Sequence, residues 1–419
     1  MNQRWRIGSI FGIPLFVDAS WFVVVALLTW VDGSDWQQMY PAWGTGWAWG
    51  AGFAMALLLF GSVLLHELGH SLVAKAQGIQ VNSITLFLFG GVAAIEQESK
   101  TPGQAFQVAI AGPLVSLGLF LLLSLATLIL PGNTPAAVLA ANLARLNLVL
   151  ALFNLLPGLP LDGGQILKAA IWKATGNRFR GVHWAAKTGQ VLGWIALSLG
   201  LGVVLFFGAT NGLWLALLGW FGIRNATLYD RFTNLQEALA ALKASDAISN
   251  DFRVVDAEMT LREFADRYLL AETRPSSYFA ASEGRYRGLV QAEELSNVER
   301  SLWESQTVQT LVRPLTEIAT VQQTAPLTEV ILLLENQNLP RVTVLSPAGA
   351  VAGVIDRGDT VRALVKALNL PVSEADIRQI KEAGSYPASF QLPAIAQSVL
   401  RDAAPAVTPA PVTPEVTTN

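Results

Sequence analysis

Six apolar runs, each long enough or nearly long enough to cross a bilayer, lie ahead of Arg224. They fall at about Phe16 to Val31, Trp47 to Ala76, Phe106 to Leu130, Ala136 to Leu156, Ala185 to Phe207 and Leu213 to Ile223. In hydrocarbon every backbone amide must be satisfied within its own segment, so such runs fold as helices. Past Arg224, charged and apolar residues alternate as in a domain surrounded by water. The chain reads as an α-helical polytopic membrane domain of about six transmembrane helices with a small β-hairpin or sheet, followed by a soluble α/β domain. A hydrophobic content of 52% over 419 residues and a mean hydropathy of +0.42 exclude an ordinary soluble protein.

Charge placement orients the spans. Arg4 and Arg6 precede the first, Lys75 and Lys100 flank the loop after the second, Lys168, Lys173, Arg178, Arg180 and Lys187 follow the fourth, and Arg224 and Arg231 follow the sixth. The alternate loops, Asp32 to Gly46, Pro131 to Pro135 and Gly208 to Gly212, hold no Lys or Arg. Both termini are therefore expected in the cytoplasm of a prokaryotic-type cell membrane or its organelle equivalent. Arg4 and Arg6 lead into an apolar stretch with no small-residue cleavage site, which reads as a retained first membrane segment.

With no cysteine, any metal must be held by His, Asp or Glu. A net charge of −3 and the absence of a Lys/Arg cluster exclude a nucleic-acid partner. Within the second apolar run stands Leu64-Leu65-His66-Glu67-Leu68-Gly69-His70-Ser71-Leu72, which contains two of the chain's three histidines. Residues four apart share a helix face, so His66 and His70 can aim imidazole nitrogens at one point with Glu67 beside them, a zinc-binding geometry with a base attached. Placing these groups in so apolar a segment is costly unless a metal or a water-filled cavity receives them.

Val81 to Val92 reads as β-branched and aromatic residues leading into a Gly-Gly turn, a strand or hairpin whose edge could pair with an extended peptide; a re-entrant loop or simple packing is the alternative. The fourth run closes with Asn154-Leu-Leu-Pro-Gly-Leu-Pro-Leu-Asp162-Gly-Gly, where two prolines break the helix. The topology puts Asp162 at the depth of His66 and His70, as a third ligand beside an open position, although Asp162 could also cap a helix from Gly163 to Ala174. Asn154 could cap, bond a neighbouring helix or hold a substrate backbone. His183, beside Trp184, reads as an interfacial anchor, and Arg145 and Asn147 as helix–helix hydrogen bonders, with proximity to a water-filled cavity as the alternative.

Together His66-Glu67-Leu68-Gly69-His70, Phe89-Gly90-Gly91, Ala111-Gly112-Pro113 and the Asn154 to Gly164 stretch resemble the site-2 protease family of intramembrane zinc metalloproteases, over residues 1 to 225. The resemblance implies that His66, His70 and Asp162 ligate Zn2+, that Glu67 activates water, and that Asn154 with Phe89, Gly90 and Gly91 holds an unwound transmembrane substrate. The expected substrate is a single-span membrane protein in the lipid bilayer, cut near the cytoplasmic face.

Two similar units follow, Arg253 to Glu294 and Ile318 to Asp359, each with a Val/Ile run, a Thr-Leu-x-Glu or Pro-Leu-Thr-Glu helix start and strands ending in Gly and two apolar residues. They are similar to a tandem CBS-domain pair, which implies an adenine nucleotide as a further ligand, with Asp359 on its ribose. Asp356 stands where that family has Thr or Ser, and the first copy carries Gln291 and Glu294. The expected division is 1–230 membrane protease domain, 231–370 CBS-like regulatory domain, and 371–419 a C-terminal segment with a disordered Pro/Thr-rich tail; a homodimer is compatible with it. The rival reading is a catalytically silent membrane sensor or scaffold acting through the paired repeats.

Overall fold

The computed structural model describes residues 4–88, 90–132, 134–270, 277–387 and 391–403. Phe89 and the Pro/Thr-rich tail lie outside the described residues. The chain divides into two compact units at Thr233/Asn234.

The first unit opens with a hairpin. Strand β1 (Arg4–Ile10) turns at Phe11 and Gly12 into β2 (Ile13–Asp18), whose alternate residues Ile13, Leu15 and Val17 are buried. This corrects the reading of a membrane segment beginning at Phe16: the period-two burial of β2 makes Ile13 to Asp18 a strand. Helix α1 (Ala19–Met39) starts only after Asp18, whose carboxylate accepts from the Ser20 amide as the N-cap. Helix α2 (Gly44–Ala76) returns and delivers the chain to β3 (Val81–Phe87) and β4 (Gly90–Ile95). The expected hairpin at Val81 to Val92 is there, within a larger sheet of order β1-β2-β3-β4, in which β2 and β3 are parallel, with Leu15 opposite Ile84.

Helices α3 (Pro102–Ile129), α4 (Pro135–Asn154), α5 (Asp162–Thr175) and α6 (Arg178–Phe207), with α7 (Asn211–Ala241) as far as Thr233, complete the unit. Among the described residues four stretches are helical, long and apolar enough to cross a membrane: Pro41–Ala76, Pro102–Ile129, Pro135–Asn154 and Arg178–Phe207. The six expected spans are thus matched by four; α1 carries Asp32, Asp35, Gln37 and Gln38 in its second half, and α7 turns polar beyond Ile223. Exposed leucines and phenylalanines leave these helices apolar outside and rich in small residues where they meet.

The second unit contains both repeats. The first has β5 (Phe252–Asp256), a short α8 (Leu261–Phe264), β6 (Ser277–Ser282), β7 (Arg285–Val290) and β8 (Val312–Pro314), in sheet order β5-β6-β7-β8. The second has β9 (Thr320–Gln322), α9 (Leu327–Asn336), β10 (Arg341–Leu345), β11 (Val351–Asp356) and α10 (Arg357–Ala367), in sheet order β11-β10-β9. Helices α11 (Glu374–Ala383) and α12 (Leu392–Ala403) add Ile380, Leu392, Ile395, Ala396 and Val399 to the apolar core built by Leu327, Ile331, Val342, Ile355 and Leu364. Residues from both sides of position 370 therefore share one core.

Candidate metal centre

Helix α2 has no single polar face; its buried polar residues Ser62, His66, His70 and Ser71 gather toward its C-terminal half. His66 is 3% and His70 8% exposed. Their Nε2 atoms stand 3.3 Å apart, and each approaches one oxygen of Asp162, His66 at 3.0 Å and His70 at 3.3 Å. Ligands held about 2.0 Å from a tetrahedral ion stand about 3.3 Å apart, so the spacing of the two nitrogens, and of each nitrogen from its own carboxylate oxygen, is that of a zinc-sized site. The donor set of two imidazoles and one carboxylate suits zinc.

The other ring nitrogens are committed elsewhere. His70 Nδ1 lies 2.7 Å from the Val108 carbonyl, which can only accept, so Nδ1 carries a proton and a neutral ring offers its Nε2 lone pair to the cluster. His66 Nδ1 lies 2.9 Å from Ser116 Oγ. Val108, Gly112 and Ser116 recur every four residues on α3 and face the histidines as one stripe. A Cβ on Gly112 would collide with the Nε2 atoms of both His70 and His66. Sequence reasoning missed Val108 and Ser116; a serine one turn beyond a glycine in an apolar helix was the available signal.

Asp162 reaches the cluster from the far side of a broken helix. It is the first residue of α5 and does not cap it: Leu161 is the cap residue, and Asp162 spends its oxygens on the histidines. Asn154 ends α4 with Nδ2 3.5 Å from His66 Nε2. Glu67 sits between the histidines on α2, against the sheet, where a Cβ on Gly91 would come within 2.6 Å of its Cγ. The structure thus brings His66, His70, Asp162 and Asn154 together and sets Glu67 beside Gly91, with Gly90 opening the same strand.

The remaining predicted residues go elsewhere. Asn147 does bond across helices, donating from Nδ2 to Ser62 Oγ at 3.0 Å. Arg145 does not: it is exposed, and no partner is found among the described residues. His183 Nδ1 meets Asp230 Oδ1 at 2.7 Å, joining α6 to α7. Asp359, 3% exposed, is engaged by Lys381 Nζ at 2.7 Å and Arg362 Nη1 at 2.9 Å. Burial pulls the Lys381 ammonium pKa down, but its hydrogen bond to Asp359 and the charges of Asp359 and Asp356 outweigh this and hold it above the ordinary lysine value.

The profile of peptidase family M50 matches residues 54–143 and 133–197, which hold the clustered side chains. A Synechocystis protein with a zinc-metalloprotease name, sll0528, is 41% identical over 365 residues, covering 87% of this chain and 96% of its own. The solved site-2 protease from Methanocaldococcus jannaschii is 30% identical, covers 54% of this chain and 95% of its own, and superposes with a TM-score of 0.40. A solved CBS domain pair/ACT domain protein from Thermotoga maritima is 23% identical, covers 30% of this chain and 99% of its own, with a TM-score of 0.24. With its apolar helices and its near full-length relative in Synechocystis, this integral membrane protein belongs to peptidase family M50, the site-2 protease family of zinc metalloproteases.

Proposed function

We propose that the chain is an intramembrane zinc endopeptidase that cuts the transmembrane segment of single-span membrane proteins near the cytoplasmic face, with its soluble unit as a regulatory module. The observation that carries this reading is the convergence of His66, His70 and Asp162 at the edge lengths of a zinc tetrahedron inside an apolar helical bundle. These three side chains would hold the ion. Zinc, when bound, supplies Lewis-acid polarisation of a carbonyl and a more acidic water.

The chain's own residues supply the rest. The Glu67 carboxylate takes the proton of the attacking water and returns it to the leaving amine nitrogen. Asn154, at the lip of the cluster, donates from its amide to the substrate backbone. Gly90 and Gly91 open β4, the outermost strand of its sheet, and the unpaired side of that strand suits an unwound substrate segment laid along it. Unwinding is required because a helical peptide carbonyl is already hydrogen-bonded four residues on.

Two features support six crossings with cytoplasmic termini. The parallel pairing of β2 with β3 returns both ends of the α1–α2 connection to one sheet, so if α2 crosses the membrane, α1 crosses it the other way. The basic loops all fall on the side where α2 ends, which puts His66 and His70 toward the cytoplasmic face. An adenine nucleotide at the paired repeats would have to compete with Lys381 for Asp359.

Zinc per polypeptide on detergent-purified protein, together with cleavage of a single-span substrate in vesicles, tests the reading. Wild type and Glu67→Gln are expected to retain about one zinc, Asp162→Ala to lose it, and Glu67→Gln to lose at least about 100-fold in cleavage rate. No zinc in any of the three after purification without chelators would overturn the proposal and favour the silent-sensor reading.

A further inference from the structure

Arg145 stands in the middle of α4, ten residues from Pro135 and nine from Asn154. At 1.5 Å per residue that is about 15 Å from one end of the helix and about 14 Å from the other, near the centre of a hydrocarbon layer about 30 Å thick. Lipid phosphates at either surface are beyond the reach of its side chain. The guanidinium is exposed, and among the described residues it has no hydrogen bond, ion pair or ring contact. An arginine left this way in lipid is strongly unfavourable, and it cannot become neutral to escape.

The buried face of α4 carries Ala137, Ala140, Leu143, Ala144, Asn147 and Ala151. Arg145 lies on the opposite face, with exposed Val149 one turn on. Asn154, nine residues away at about 100° each, lies half a turn round from it on the side of the metal cluster. A helix seated over Arg145 is therefore not the segment being cut. Nor do the four apolar helices hold the complementary charge: they contain one carboxylate, Glu67, placed between the histidines, while Asp32 and Asp35 lie in the second half of α1, seven and four residues from its end.

We propose that the outward face of α4 around Arg145 is a docking surface for a transmembrane helix of a different membrane protein that carries an Asp or Glu near mid-bilayer. The carboxylate satisfies the guanidinium with a bidentate, charge-assisted pair, and the apolar residues of α4 around it pack against the partner. Such a partner rides beside the catalytic bundle and sets which substrates or membranes the protease meets.

The test uses full-length protein labelled with a donor fluorophore in phosphatidylcholine vesicles. The probes are acceptor-labelled single-span Leu/Ala peptides with Glu, Gln or Leu at the central position. Association of the Glu peptide is expected to be about ten-fold tighter than that of the Leu peptide. Arg145→Met is expected to abolish that preference, Arg145→Lys to retain part of it, and zinc content to be unchanged in both, which shows that the variants are folded. The proposal is overturned if the Glu and Leu peptides bind alike, if the preference survives Arg145→Met, or if it disappears in Asp162→Ala instead, which would place the peptide carboxylate at the metal cluster. It is also overturned if Arg145→Met alters self-association without peptide, making a second copy the occupant.

Discussion

Under the proposed zinc reading, Gly112 decides whether two imidazoles can share one ion. Any side chain there occupies the space in which the Nε2 atoms of His66 and His70 meet, so Gly112→Ala is expected to lower zinc occupancy at least ten-fold, read by metal analysis, while the helices remain folded. Ser116 works through His66 alone: Ser116→Ala is expected to cost about 10-fold in zinc affinity and to leave Gly112 and His70 undisturbed. At this scale the sequence was informative where residue types are rare and spaced by a helical turn. His66, Glu67 and His70 were legible because imidazoles and a carboxylate have no cheap place in an apolar helix. Val108 was illegible because its contribution is a backbone carbonyl, which any residue type supplies.

Between elements, a cluster of charge ties the sheet to the helix that carries Asp162. Glu98, in the loop after β4, accepts from Lys168 Nζ of α5 at 3.1 Å and from Arg178 Nη1 of α6 at 3.3 Å. The Lys168 charge, with Arg178 added and against the effect of burial, holds the Glu98 carboxyl below the usual glutamate range. Because the folded-state value is lowered, its stabilisation is intact above about pH 4.5 and is lost as the pH falls through that lowered value. Glu98→Gln is expected to destabilise by about 1 kcal/mol or less at pH 7, since the carboxylate is half exposed, and its thermal midpoint should converge with wild type in acid. The elements themselves were mostly readable. The Val81 to Val92 hairpin followed from its β-branched residues and glycines, whereas β2 was hidden because its last residues run into the mostly apolar stretch that ends at Val31, and the period changes from two to 3.6 at Asp18.

Across the whole molecule, the division into an apolar helical unit and a sheet-containing unit was plain in the hydropathy, and the extent of the second unit's core was not. Helices α11 and α12 are amphipathic and lie beyond the second repeat in sequence, yet Ile380, Leu392, Ile395 and Val399 are closed into its core. Ending the chain after Asn369 removes these four large side chains, roughly 1.5 to 3 kcal/mol each, which approaches the whole stability of a domain of this size. Limited proteolysis is expected to leave the soluble unit intact in the full chain and to degrade it in the truncated one. The sheet of the first unit carries a consequence in time. Leu15 pairs with Ile84, so β2 must wait for roughly 70 further residues to leave the ribosome before its partner β3 exists. During that interval α1 and α2 must be threaded and turned back, and only then does β3 arrive to dock. Helix α2 is therefore in place before the sheet beside it closes, and the nascent chain passes through a stage in which Glu67 faces no strand at all.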